Sequence, residues 1–352
     1  MTKFIDSKLS ITQEEQLIFK KLLQEKGKIA ILTHIFPDQD AITSGLILLK
    51  ILKSHNAKLA KFFIEKPVAP ELLQIPGSNK ITITNNILDA LKNFLPSVIV
   101  LTDINHYSRL THFNYKNIQE FFKNKKIYII DHHQTKATIK NALKIQKPYI
   151  STTQILDFLL KYNNIKISPL INSLIEIGIL SDSNILNTLP KQRNLQQLTL
   201  AELAQTTKSS KLSLRKIIYL SNVKLHKNSI KYFKELANKL EITENLIYSY
   251  ANFTNDHNNK NEINRVVIFF MAKILEATTI PIKFIFYKIG PKCLLTIHSQ
   301  KYNILQIAEN IGGGGHAHMA GATFNCPNKT DFQKYLNIIK KQAEELIEQA
   351  PK

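Results

Sequence analysis

His34, Asp38 and Asp40 fall within the short stretch THIFPDQDA, directly after one apolar run and directly before another. Further along, Asp103 closes the run SVIVLTD, and Asp131 closes KKIYIID with His132 and His133 immediately behind it. Asp182 follows the apolar segment LIEIGIL. Buried acids are too costly to gather without counter-charge, so carboxylates and imidazoles that converge imply bound cations. A set of His and Asp without Cys suits Mn²⁺ or a similar ion better than a thiolate-bound zinc. Each residue also has an ordinary explanation, since an Asp before a helix, here Asp40, is usually a cap. Capping alone does not account for four such clusters, each placed where an α/β sheet puts its site.

The elements that must position these groups follow from periodicity. A leading helix is expected over 13–26, then a strand KIAILTH ending at His34, then a helix AITSGLILLKILKSH with apolar residues at i, i+3, i+4 spacing. AKLAKFFI, SVIVLTD and KKIYIID read as further strands, with mostly helical segments among them. Alternating strands and helices predict a doubly wound parallel sheet, whose ligands sit beyond the carboxyl ends of the strands. One sheet edge then collects nearly all the candidate ligands. From about 190 the pattern turns helical and more charged. β-rich runs resume at VVIFFMAKIL, IKFIFYKI and KCLLTIHS, which predicts a second, smaller α/β domain. The expected divisions are 1–190, a helical linker over 191–229, and 230–352.

Composition narrows the class. A hydrophobic content of 44% indicates a globular chain. The N-terminus lacks the order of a signal peptide and no apolar run approaches the length of a membrane span, so a cytoplasmic protein is expected. Cys293 and Cys326 read as too few and too isolated for a disulfide framework, which fits a reducing compartment. Forty-seven Lys and Arg against 27 Asp and Glu leave a net charge of +20, which favours anionic partners. The Lys-, Asn- and Ile-rich composition accounts for part of that surplus.

Five ordered motifs, THIFPDQDAITSG, VLTDINHYSRL, IIDHHQT, GILSDS and IGGGGHAHMAGATF, resemble the DHH phosphoesterase family with its DHHA1 domain. The resemblance implies a DHH domain and a DHHA1 domain with two Mn²⁺ ions in the cleft between them. It implies that His34 and Asp38 hold one ion, that Asp40 and His132 hold the other, and that Asp103 and Asp182 bridge or are shared. Asp131 would orient His132, and His133 would face the substrate phosphate. Ser151 and Thr152 resemble hydroxyl residues near the site. Homodimers are common in the family.

Half of the chain's ten glycines lie in Gly312–Gly315 and Gly321, where backbone N–H groups can approach an anion or a base closely. In the family this loop contacts the nucleotide end of the substrate, which makes Gly313, Gly314, Gly315 and His316 expected binding residues. The family's phosphate-clamping Arg has His298 in its place, in TIHSQ, and a neutral imidazole cannot reproduce a bidentate guanidinium. The expected activity is Mn²⁺-dependent hydrolysis of short nucleotides: linear di- to oligoribonucleotides such as pApA, or cyclic di-AMP. Alternatives are a 3′-phosphoadenosine 5′-phosphate phosphatase, an inorganic pyrophosphatase, and a non-catalytic basic nucleic-acid-binding module.

Overall fold

The computed structural model describes residues 10–55, 59–134, 139–189, 192–222, 225 and 227–349. The chain divides into two compact units, Met1–Val223 and Lys224–Lys352.

The first unit opens with α1 (Gln13–Leu23), β1 (Ile29–Leu32), α2 (Gln39–Ser54), β2 (Lys61–Glu65) and β3 (Ile81–Thr84). It continues through α3 (Ile87–Phe94), β4 (Val98–Thr102), α4 (Tyr115–Phe122), β5 (Lys126–Asp131) and β6 (Ala142–Gln146). Four helices complete it: α5 (Thr152–Tyr162), α6 (Pro169–Asp182), α7 (Arg193–Thr207) and α8 (Leu214–Ser221). The strands form one six-stranded sheet in the order β3-β2-β1-β4-β5-β6, every pair parallel. This is the doubly wound sheet the sequence predicts.

Its central strands are apolar throughout because both faces are covered. Ile29 and Ile31 of β1 pack with α1, α2, α5 and α6 on one side, while Ala30 and Leu32 pack with α3 and α4 on the other. β3 and β6, which sequence reading missed, are the two edges, and most of their residues are only half-buried. An edge strand carries no continuous apolar run, so its periodicity is weak. The order reverses at β1, whose neighbours are β2 on one side and β4 on the other. Chain connections diverge there and leave a crevice at the carboxyl ends of β1 and β4.

The stretch expected as a linker, 191–229, contributes α7 and α8, and their Leu195, Ile217 and Leu220 are buried in the core of the first unit with residues of α6. The unit boundary at 223 follows those helices.

The second unit contains α9 (Ile230–Asn238), β7 (Leu240–Ile242), β8 (Leu246–Asn252), α10 (Lys260–Ala277), β9 (Ile282–Ile289) and β10 (Lys292–Ser299). After these come α11 (Leu305–Glu309), β11 (Gly314–His316), β12 (Met319–Asn325) and α12 (Lys329–Glu348). Its sheet runs β11-β12-β10-β9-β8-β7, parallel only between β8 and β9, where α10 makes the crossover.

Two expectations are corrected here. The run VVIFFMAKIL is α10, not a strand. Ile263, Val266, Val267, Phe270, Met271 and Ile274 are buried at helical spacing, while Ile268 is 64% exposed. The run is apolar nearly all round, so its own residues do not separate helix from strand; the flanking polar turns extend it to helical length. The two cysteines are also not isolated. Cys293 on β10 and Cys326 just beyond β12 form a disulfide with a Cα–Cα distance of 5.4 Å, because antiparallel pairing of β10 with β12 closes the 33-residue separation. No helix among the described residues is long and apolar enough to cross a membrane.

Candidate metal centre

Each donor reaches the switch point for a local reason. β1 ends at Leu32, and two residues later His34 sits buried with Nδ1 3.1 Å from the carbonyl of Ile35. A proton on Nδ1 donated to that carbonyl leaves the Nε2 lone pair free for a cation. Asp38 caps α2, its Oδ1 accepting from the Ala41 N–H at 3.0 Å. The cap is therefore Asp38 and not Asp40, the residue for which sequence reading offered capping as the ordinary role. Asp40 is the second residue of the buried helix, and its carboxylate accepts from the backbone N–H groups of Thr152 (2.7 Å) and Thr153 (3.0 Å). Those two groups open α5, so a helix N-terminus, with its partial positive charge, faces the acid.

Asp103 is the first residue after β4 and holds a φ of 58°, a left-handed conformation that Asp tolerates better than most residues. It is 1% exposed and lies between the imidazoles: Oδ2 is 3.3 Å from His34 Nε2, and Oδ1 is 3.4 Å from His132 Nε2. Thr152 Oγ1 donates to the same Oδ1 at 3.1 Å. Asp182 closes α6 and places Oδ2 3.5 Å from His132 Nε2. Donor atoms thus fall into three overlapping groups, each with its atoms within 4.8 Å of one another: His34, Asp38 and Asp103; Asp40, His132 and Asp182; and Asp103, His132 and His133.

Asp131 was expected to orient His132, and the structure corrects this. Asp131 Oδ1 lies 2.7 Å from His133 Nδ1 and its Oδ2 accepts from Asn105 Nδ2 at 2.6 Å. His132 Nδ1 instead faces the carbonyl of Tyr149 at 3.3 Å. Asp131 is the last residue of β5, and the imidazole two positions later is the one its carboxylate reaches.

The electrostatics are those of a site built for positive charge. Burial, reinforced by the Asp103 charge, pushes Asp40 up to about 7. Burial and the charges of Asp40, Asp38 and Asp103 raise Asp182 well above the ordinary carboxylate range. Burial opposes ionisation of His132, but hydrogen bonding and attraction to Asp103 outweigh it and raise the imidazole to about 9. His34 is raised by the same partner against the same penalty. Burial likewise works against the Asp103 carboxylate, and its two imidazoles more than offset this, holding it well below its usual range. Protons here occupy positions where a divalent cation would satisfy the same carboxylates, so the donor set fits a metal.

Gly178 is a contributor that sequence reading missed. It lies inside α6 where the helix passes Asp40 and Thr153, and a Cβ there would stand 2.5 Å from Asp40 Oδ1 and 2.3 Å from Thr153 Oγ1. Gly178→Ala should therefore displace the Asp40 carboxylate and weaken metal affinity at least about ten-fold, although Ala is the better helix former by about 1 kcal/mol. Calorimetric titration with Mn²⁺ checks this; unchanged affinity would show that α6 yields without moving Asp40. A glycine within a helix is the one signal of this contact in the sequence.

The expected substrate contacts lie in the second unit. Gly313 and Gly315 are required by packing: a Cβ on Gly313 would meet Gly321 O at 2.3 Å, and Gly315 has a φ of 144° against Ala320. Gly314 faces open space on β11. His316 falls in β11, its side chain lying outside the described residues. His298 on β10 is half-buried opposite Lys283, and burial, then the charges of Lys283 and His318, lower its pKa. Ser151 caps α5, and Thr152 alone of the expected hydroxyl pair touches a donor residue.

Residues 28–179 match the model of the DHH family, N-terminal domain. Most of the first unit is thus similar to a DHH-family domain. The sequence has no significant match among curated proteins. In fold, the chain is similar to an exopolyphosphatase-related protein from Bacteroides fragilis, at 17% identity and a TM-score of 0.72 over 97% of this chain and 99% of that one. It is also similar to the exonuclease RecJ bound to manganese, at 14% identity and a TM-score of 0.53 over 100% and 97% of the respective chains. At such identities the likeness is one of fold. All of the His and Asp donors except Asp182 fall within the residues that match this family model.

Proposed function

We propose that this protein is a phosphodiesterase that hydrolyses short nucleotides, linear dinucleotides such as pApA or cyclic di-AMP, with two Mn²⁺ ions. The observation that carries the reading is the sharing of Asp103 between donor groups, its two oxygens turned to His34 and to His132. A carboxylate placed in this way suits a pair of ions better than one. The manganese in the RecJ structure, which has the same fold, supports the choice of metal.

In this reading His34 and Asp38 would hold one cation, Asp40, His132 and Asp182 would hold the other, and Asp103 would serve both. Two such cations supply Lewis acidity that activates a water, neutralises the phosphate and stabilises the leaving oxygen. The remaining chemistry belongs to the chain. Asp131, anchored by Asn105, holds His133 through Nδ1, which leaves Nε2 of that one-third-exposed imidazole to face the phosphate and pass a proton to the leaving oxygen. The N–H groups of Thr152 and Thr153 keep the Asp40 carboxylate in place as charge changes around it. The open face at Gly314 suits a nucleotide end, as in the DHHA1 domain that the glycine motif resembles.

The test offers pApA, cyclic di-AMP and 3′-phosphoadenosine 5′-phosphate at equal concentration with Mn²⁺, each with an EDTA control, and identifies products. Metal-dependent conversion of pApA or cyclic di-AMP to AMP or pApA is the expected result. Consumption of the 3′-phosphate substrate alone would replace the diesterase by a monoesterase, and no consumption of any would overturn the reading.

A further inference from the structure

Phe36 occupies a position that suits glycine or asparagine better. Its φ is 65°, and an L-residue with a bulky side chain is a true outlier in that region. Burial does not compensate, because the residue is 50% exposed. The loop is instead pinned from outside. The Ile35 N–H donates to the Arg109 carbonyl at 2.7 Å, and the Phe36 ring meets the His112 ring at 4.9 Å between centroids and 77° between planes. His112 is itself anchored, its N–H donating at 2.7 Å to Glu65, a buried carboxylate that also receives the Thr111 hydroxyl and the Ile87 N–H. A strained aromatic side chain held half in solvent against a fixed edge has a geometry made for a ring from outside.

Its location says which ring. Phe36 is two residues from His34 and two from Asp38, so its Cα lies within roughly 7 Å of two donor residues, the span of two residues of chain. A phosphoester seated on those donors brings its adjoining substituent to this rim. The exposed Arg109 beside it acts on the charge of His34 and so adds positive potential at the same place. We propose that Phe36, braced edge-on by His112, is the stacking platform for the nucleobase next to the scissile phosphate, which makes it a specificity-determining residue for base-bearing over base-free phosphodiesters. The substrate class rests on the phosphodiesterase reading; the binding test below does not.

The chain has no tryptophan, so Phe36→Trp introduces a single indole fluorophore at the platform. In the full chain with Mg²⁺, excited where tyrosine does not absorb, AMP should quench that emission by about half at saturation while ribose 5-phosphate leaves it unchanged. Phe36→Ala should raise KM for pApA about ten-fold with kcat within about two-fold, and Phe36→Tyr should retain the wild-type KM. A dinucleotide lacking its bases should be cleaved equally by wild type and Phe36→Ala. Equal or absent responses to AMP and ribose 5-phosphate, with an unchanged KM in Phe36→Ala, overturn the platform while wild-type turnover keeps the hydrolytic reading. AMP-selective quenching in a protein that turns over no nucleotide does the reverse.

Discussion

Replacing Asp103 with Asn should lower kcat/KM for metal-dependent hydrolysis by at least about a thousand-fold, several kcal/mol in the barrier. Asn is nearly isosteric, and it tolerates the φ of 58° at this position as Asp does, so the backbone has no reason to move. What is lost is the charge that both imidazoles face at 3.3 and 3.4 Å. An amide presents one acceptor oxygen where the carboxylate presents two, so it cannot serve both donor groups. His34 and His132, raised chiefly through Asp103 against their burial, should fall back towards ordinary imidazole behaviour. Circular dichroism establishes that the variant folds, elemental analysis counts its metal, and initial rates with Mn²⁺ measure the loss. Near wild-type turnover with a full complement of metal would remove Asp103 from the centre. Asp131→Asn is a useful contrast, because Asp131 bonds His133 and Asn105 rather than the shared donors.

Removing divalent ions with EDTA should abolish hydrolysis, and the affinity with which they return should climb steeply between about pH 6 and pH 9. In the metal-free protein, protons neutralise the cluster: Asp40 is pushed up to about 7 and His132 to about 9. A cation must displace them, so binding releases protons, and competition is strongest at low pH and vanishes above about pH 9. The stability of the metal-free protein follows the same groups. Both have folded pKa values above their unfolded ones, so their contributions are complete below the unfolded values of 3.8 and 6.5 and are lost as pH rises through about 7 and about 9. The metal-free protein should therefore lose stability from about pH 4 to pH 9, and added Mn²⁺ should raise the Tm most at the alkaline end. Calorimetric titration in buffers of different ionisation enthalpy counts the released protons, and thermal melts across this range test the stability. An affinity independent of pH, with no proton release, would show that the cluster is not the place where the metal binds.

The donors of the centre were legible in the sequence because a parallel sheet makes them so. Buried strands are apolar on both faces, and the first polar residue after each one necessarily stands at the carboxyl edge, as Asp103 does after Val98–Thr102. His34, Asp131 and His132 are exposed to the same logic. Residue type then indicates the chemistry without any knowledge of the fold's details. What local sequence could not supply is whatever depends on a neighbour distant along the chain. Asp40 receives the N–H groups of Thr152 and Thr153, more than a hundred residues away. Gly178 makes room for that carboxylate from a different helix. The partner of Asp131 is decided by which of two adjacent imidazoles turns back towards the strand, and the pairing of Cys293 with Cys326 by the register of two antiparallel strands. VVIFFMAKIL is helical because the turns at its ends and the sheet beneath it give it length and one buried face. Periodicity reports how a segment meets its surroundings, one face at a time. Which atoms then meet across the gap between elements is settled by packing alone, since packing is where residues distant in the chain first interact.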